Sequence, residues 1–285
     1  LSHSSEQLAG KIDTLKKKQG EAADKAMTFG DKAGQAFNQV HEAIVAAGIA
    51  VALKEIYEYF ASCAQASMDF ESAITGVAKT TDLTDEELAA MSDSIKALST
   101  EIPATTEEIA AVAEAAGQLG IQKDALLDFT EIMTMLGTAT NMTADEAATA
   151  LARFANITGM ATDNYGRLGS VIVDLGNNFA TTESEIVAMG TRLASAGKLA
   201  GLTEPEIMAL AAAMSSVGIE AEVGGTAMTQ TLNAIEKAVA KGGDDLAEFA
   251  RIAGMSSEEF SSAWKNDAMS ALTSFIGGLG KLDEQ

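Results

Sequence analysis

Two histidines, one cysteine and one tryptophan limit the chemistry open to this 285-residue sequence. His3 and His41 both lie near its start. A Ser-His-Asp or Cys-His arrangement needs a base held beside its nucleophile, and the long remainder of the chain has no histidine to supply one. Cys63 has no second cysteine to pair with, and a lone cysteine reads as a small core hydrophobe. Asp82, Asp85, Glu86 and Glu87 are dense carboxylates, but they precede a helical pattern, where the dipole favours negative charge without a cation. The regular spacing of a calcium loop is absent. GQLGIQK from Gly117 and VGGTAMT from Val223 are the candidate phosphate cradles. The first lacks the lysine–hydroxyl end of a P-loop and the second has no lysine. Gly224 and Gly225 therefore read as a tight turn before a helix capped by Thr226. A glycosidase needs two carboxylates flanking an aromatic groove, and the sole Trp264 marks no such groove. Met133, Met135, Met189, Met208 and Met214 fall at helical spacing and read as core filler rather than a binding face. The sequence thus predicts no catalytic residue, no cofactor-binding residue and no metal ligand, in a chain that is not an enzyme.

The elements that remain are helices. Only two prolines occur, aromatic residues make up 5%, and Ala, Leu, Met and Glu abound, which favours helix over sheet. Beyond residue 70, helix starts recur as a hydroxyl followed three residues later by glutamate. Thr84 with Glu87, Thr105 with Glu108, Thr143 with Glu146, Thr182 with Glu185, Thr203 with Glu206 and Ser256 with Glu259 all fit the capping box, in which each partner satisfies one free amide of the other's segment. Pro205 suits a first helical turn and Pro103 a break. Gly117 or Gly120, Gly137, Gly159, Gly201, Gly218, Gly242 and Gly254 read as helix stops. Between these signals the apolar residues share one face, as in Ile109, Val112, Ala113 and Ala116, then Leu168, Val171, Ile172 and Leu175, then Ile207, Leu210, Ala211 and Met214. About eight helices of ten to eighteen residues are expected from such signals.

Ahead of this bundle, apolar residues from Leu8 to Ile44 step by threes and fours in a narrow seam, as in a coiled coil or long hairpin. A further helix is expected over 43–68, with Ile56, Tyr57, Phe60 and Cys63 on one face. The fold class is therefore all-α, with a helical arm and linking helix over 1–66 and a helical core domain over 67–285. An internal helix-pair duplication is suggested by TEEIAAVAEAAGQLGI from Thr106 with EIMTML from Glu131, against ESEIVAMGTRLASAGK from Glu183 with EIMALA from Glu206. With neither an initiator Met nor a structural stop at Gln285, the chain reads as part of a longer protein.

Charge separates the two parts. Residues 1–60 hold 7 Lys/Arg and 8 Asp/Glu, leaving 12 and 33 for the rest of a chain of net charge −22. No basic stripe is present on which counterion release could build affinity, so direct nucleic-acid binding is not expected. The apolar run Ala43 to Leu53 is shorter than the roughly 20 residues of a spanning helix. It nevertheless leaves a competing reading open, that of a membrane-active or pore-forming helical protein.

A combination of motifs is more specific. FESAITGVAKTT from Phe70, NMTADEAATALARFANITGM from Asn141, LGNNFATTESEIVAMGTRLASAGKLAGLT from Leu175 and GIEAEVGGTAMTQTL from Gly218 together resemble the core region of phage tail tape measure proteins, over about residues 65 to 240. The resemblance implies a virion structural protein of a phage or prophage, found in host cytoplasm during assembly and then in the tail tube lumen. It further implies action in tail length determination and tail assembly, and ejection ahead of the DNA. The implied partners are the tail tube protein, tail assembly chaperones and tail tip proteins, with other copies of the chain, three together, and with membrane contact at infection. It brings no catalytic residue.

Overall fold

A computed structural model describes residues 50–282, and among these there are twelve α-helices, one 3-10 turn and no strand. The all-α expectation holds. The seam from Leu8 to Ile44, with both histidines, lies outside the described residues. The first helix, α1, runs Ala50–Thr80, well past the end expected at residue 68. The chain divides into two compact units within it, after Thr75. The boundary expected at 66–67 falls inside the same helix. In the first unit, residues 56–63 of α1 are exposed on every side. Cys63 is among them and is exposed, which corrects the expectation of a core cysteine.

The second unit holds eleven further helices of 10 to 21 residues, more than the eight expected. They are α2 (Asp85–Glu101), α3 (Thr106–Gln118), α4 (Lys123–Ala139), α5 (Ala144–Thr158), α6 (Tyr165–Asn178), α7 (Glu183–Leu199), α8 (Glu204–Ser216), α9 (Ala221–Lys241), α10 (Asp244–Ala253), α11 (Ser257–Asn266) and α12 (Ala268–Leu282). All six capping boxes form, at the starts of α2, α3, α5, α7, α8 and α11. Pro205 sits in the first turn of α8. Pro103 follows the extended Ile102 that ends α2. Helix ends are as regular. Gly120, Gly159, Gly201, Gly218, Gly242 and Gly254 all take positive φ, where a Cβ would be strained.

α3, α4 and α5 pack on one another, α5 packs on α7, and α7 is sandwiched further by α6, α8 and α9. The fully buried side chains gather here, among them Ile109, Leu126, Phe129, Met133, Leu151 and Phe154 from the first three helices, with Ile186, Met189 and Leu193 from α7. Burying a side chain of this kind contributes about 1.5–3 kcal/mol. The three apolar faces read from spacing point inward, although Val171 and Leu175 of α6 are only half-buried. Thr130 and Thr134, buried in α4, return their hydroxyls to the carbonyls of Leu126 and Thr130 at 2.7 Å, so no polar atom is stranded there. Of the five methionines expected in the core, Met133, Met189, Met208 and Met214 are buried. Met135 is 49% exposed, because α4 turns that side of its surface to solvent.

Three glycine expectations are corrected by close packing. Gly137 lies inside α4, where an added Cβ would stand 2.6 Å from the backbone nitrogen of Ala144. Gly117 is inside α3 against the Thr80 carbonyl, and Gly120 supplies the stop. Gly224 and Gly225 are not a turn but the second helical turn's approach within α9: one lies under Ile219, the other 3.0 Å, at its missing Cβ, from the Arg192 side chain of α7. Thr226 caps nothing and donates to the Glu222 carbonyl. These residues are glycines because helices cross there with no room for a methyl group.

The suggested duplication is half realised. Thr105 and Thr182 open α3 and α7 with the same box, and Ile109 and Ile186 are both fully buried. Each helix then packs against its successor. Each ends in a left-handed glycine followed by an apolar residue whose amide reaches the carbonyl five residues back, Ile121 to Ala116 and Leu202 to Gly197. The second helices are out of register. Glu206 belongs to the cap of α8, while Glu131 lies in the middle of α4.

The last three helices form their own cluster, joined through α9. Phe249 and Phe275 meet edge to face at 5.2 Å, and Trp264, almost fully buried, donates from Nε1 to Glu236 of α9 at 2.8 Å. Gly278 of α12 lies directly against the Ile252 carbonyl oxygen of α10, whereas its neighbour Gly277 has open space beside it. Gly278→Ala should therefore destabilise by about 1–3 kcal/mol through overpacking. Gly277→Ala should be neutral or stabilise by up to about 1 kcal/mol through helix propensity. Urea titrations of both variants decide this, and equal effects would contradict the close approach.

Candidate functional site

Where chemistry was sought in the sequence, the structure places helix architecture. Asp85, Glu86 and Glu87 occupy the first turn of α2. Glu87 accepts from the Thr84 amide at 2.8 Å and pairs with Lys123 of α4 at 2.6 Å. The Lys123 ammonium, with the Thr84 amide, holds the Glu87 carboxyl down at about 2. Glu146, Glu185 and Glu259 are likewise held below the ordinary carboxylate range by the amides they cap, from Thr143, Thr182 and Ser256. These carboxylates are ionised because backbone donors face them, so they close helices rather than wait for a metal or a substrate. Among the described residues no group of three or more His, Cys, Asp or Glu is placed to hold a metal ion.

Several contacts gather helix starts at one end of the second unit. Asn141, in the α4–α5 connection, accepts from the Ser184 amide of α7 at 3.1 Å and donates to its hydroxyl at 2.8 Å. Thr181, in the α6–α7 connection, and Ser215, in the last turn of α8, share a hydrogen bond of 2.5 Å. Pro103 and Ala104, ahead of α3, line one groove with Thr138 and Thr143. The starts of α3, α5 and α7 thereby lie together, each with acidic residues in its first turn. Negative side chains there complement the positive ends of three helix dipoles. Sequence reading missed the role of Asn141, whose partner lies 43 residues away and leaves no local signal.

Two grooves cross this surface. One, of about 390 Å³, runs between α4 and α6, floored by Ile132, Leu136, Gly166 and Gly169 and edged by Ser170 and Asp174. The glycines make it a groove, since Cβ atoms there would come within ordinary contact of Ile132 and Leu136. The other, of about 340 Å³, lies between α3, α4 and the start of α5. Both can take apolar side chains from a partner, and neither gathers a nucleophile with a base. Exposed apolar residues extend the adhesive surface. Phe179, Val217 and Val223 are 45%, 73% and 71% exposed near the α6–α7 and α8–α9 connections, and Ile56, Tyr57 and Tyr59 are exposed on α1.

The Glu87 link gives an acid dependence with a definite sign. A carboxylate depressed in the folded state contributes stability that is complete above its unfolded value, near 4.5, and is lost as pH falls through about 2. Melting temperatures of the natural chain should fall over that window, and Glu87→Gln should flatten part of the fall. Identical slopes for the two proteins would remove the link.

No curated protein and no solved structure matches the chain. The family profile described as phage-related minor tail protein matches residues 92–285, from within α2 to the end of the chain. The chain therefore belongs to the phage-related minor tail protein family.

Proposed function

We propose that, within the tail, this chain is the core region of a tape measure protein, acting in length determination and tail assembly and leaving ahead of the genome at infection. The observation that carries this reading is the coincidence of the tape-measure-like motifs with the elements that close the bundle. The NMTADE segment from Asn141 contains both the Asn141 bridge and the α5 cap, and TTESE from Thr181 contains the α7 cap. A continuous α-helix advances about 1.5 Å per residue, so chain length converts linearly to distance. A compact bundle does not measure in this way. The bundle acts as an anchoring domain of a longer tape or as a stored form that extends on loading.

On this reading the partners are the tail tube protein lining the lumen, the assembly chaperones that hold the chain beforehand, the tail tip proteins, and two further copies of the chain in a homotrimer. The chain performs no catalysis and holds no cofactor, and its acidic second unit does not bind nucleic acid directly. Its domains divide near residues 66–67. Among the described residues no helix is long and apolar enough to cross a membrane, and the alternative, a membrane-active or pore-forming helical protein assisting genome entry, rests on the Ala43–Leu53 run and on the passage into the cell envelope that the family resemblance implies.

Deleting about 20 helical residues from the rod-forming part of the parent protein should shorten the tail by about 30 Å per deletion. Electron microscopy of the variant virions measures this directly. Unchanged tail length would remove the ruler role from the deleted part.

A further inference from the structure

The last three helices, residues 244–282, are held together better than they are held to the bundle. α10, α11 and α12 pack on one another and bring their own buried apolar residues, among them Leu246, Ala250, Phe260, Leu272 and Phe275. The Phe249–Phe275 ring contact and the crossing of Gly278 over Ile252 both join α10 to α12. Toward the rest of the chain the substantial packing is that of α10 on α9. Among the described residues one hydrogen bond joins these helices to those before Gly242, the bond from the Trp264 indole to Glu236 of α9 at 2.8 Å.

The connection itself is Gly242–Gly243. Gly242 has φ 71° and ψ −160°, and Gly243 has φ 81° and ψ −156°, a region essentially restricted to glycine. They are the one adjacent pair of positive-φ residues among those described. Nothing lies within 4 Å of where a Cβ would stand on either, so these two are glycines for their torsions, whereas Gly137 and Gly278 are glycines because a neighbour excludes a side chain. Each also serves only its own helix. The Gly242 amide donates to the Ala238 carbonyl at 2.8 Å, and the Gly243 carbonyl accepts from the Ala247 amide at 3.1 Å. No backbone hydrogen bond bridges α9 and α10.

We propose that residues 244–282 form a hinged lobe that opens from the bundle about Gly242–Gly243, with the Trp264–Glu236 bond as its latch. Proteins open in cooperative blocks, and a block tied by little packing opens at lower free energy than the core it leaves. In the closed form Trp264 is 3% exposed, and opening returns the indole and its carboxylate partner to water together. Latch and hinge therefore act on one equilibrium from separate places. The opening is a property of the bundle alone and stands apart from any role in length determination.

Hydrogen exchange across the whole 285-residue chain, read by mass spectrometry of its peptides, tests this. In the natural chain the slow amides of α10, α11 and α12 should exchange at one common rate, faster than those of α3 to α8. Glu236→Ala leaves the buried indole N–H without its acceptor and should raise that common rate on the order of ten-fold, with α3 to α8 unchanged. Gly242→Ala puts a Cβ into a backbone region that disfavours it and should act in the same direction without touching the latch. Trp264 is the only tryptophan in the chain, so in urea its emission should shift before the far-UV circular dichroism of the bundle falls. Terminal helices protected as fully as α7, or coincident emission and dichroism transitions, would overturn the proposal. So would a variant that leaves 244–282 unaffected, or one that raises exchange in α3 to α8 equally, since the second unit would then open as one body.

Discussion

Short helices have many ends, and every end leaves backbone amides or carbonyls without partners. That constraint governs the second unit, whose eleven helices would otherwise open a row of free donors at each start. Six starts are closed by reciprocal bonds between a hydroxyl residue and a glutamate three positions on. Each cap contributes on the order of 1 kcal/mol. Much of the acidity in the caps is thereby accounted for: the glutamates that would suggest a cation site are the acceptors that let a helix begin where the core needs it.

Caps were legible in the sequence because both partners lie within four residues. Faces were legible for a related reason, since the apolar repeat is local and only its direction depends on the fold. Gly137, Gly224 and Gly225 were misread, and Gly117 was not told apart from Gly120, because a glycine needed for close packing looks, in sequence, the same as a glycine needed for a turn. The difference is the neighbour, and the neighbours are Thr80, Ala144, Ile219 and Arg192. Asn141 escaped notice on the same ground. Cys63 was assigned to a core by residue type alone, and residue type does not say which turn of a helix is exposed. The sequence parallel around Glu131 and Glu206 joined residues that occupy different turns of their helices, so composition imitated a repeat that the register does not carry through.

Membership of a tail protein family and an architecture of capped, close-packed helices point to the same kind of work. The molecule presents grooves, apolar edges and a long helix to other proteins. Its ionisable groups are spent on helix starts and on exposed ion pairs, which are individually worth little in water. The terminal cluster meets the rest at α9, which packs on α10 and whose Glu236 accepts from the Trp264 indole.

Every residue with a left-handed backbone among those described is a glycine. Glycine passes between the two hands of φ without a Cβ to collide with its own carbonyl, so the torsional sense of each connector is held by packing rather than by stereochemistry. A hairpin closed by such a residue can be straightened by rotation at that one point once its packing is released. Mechanical traction applied to the chain would find its compliant joints already installed at Gly120, Gly159, Gly201 and Gly218, with rigid capped rods between them.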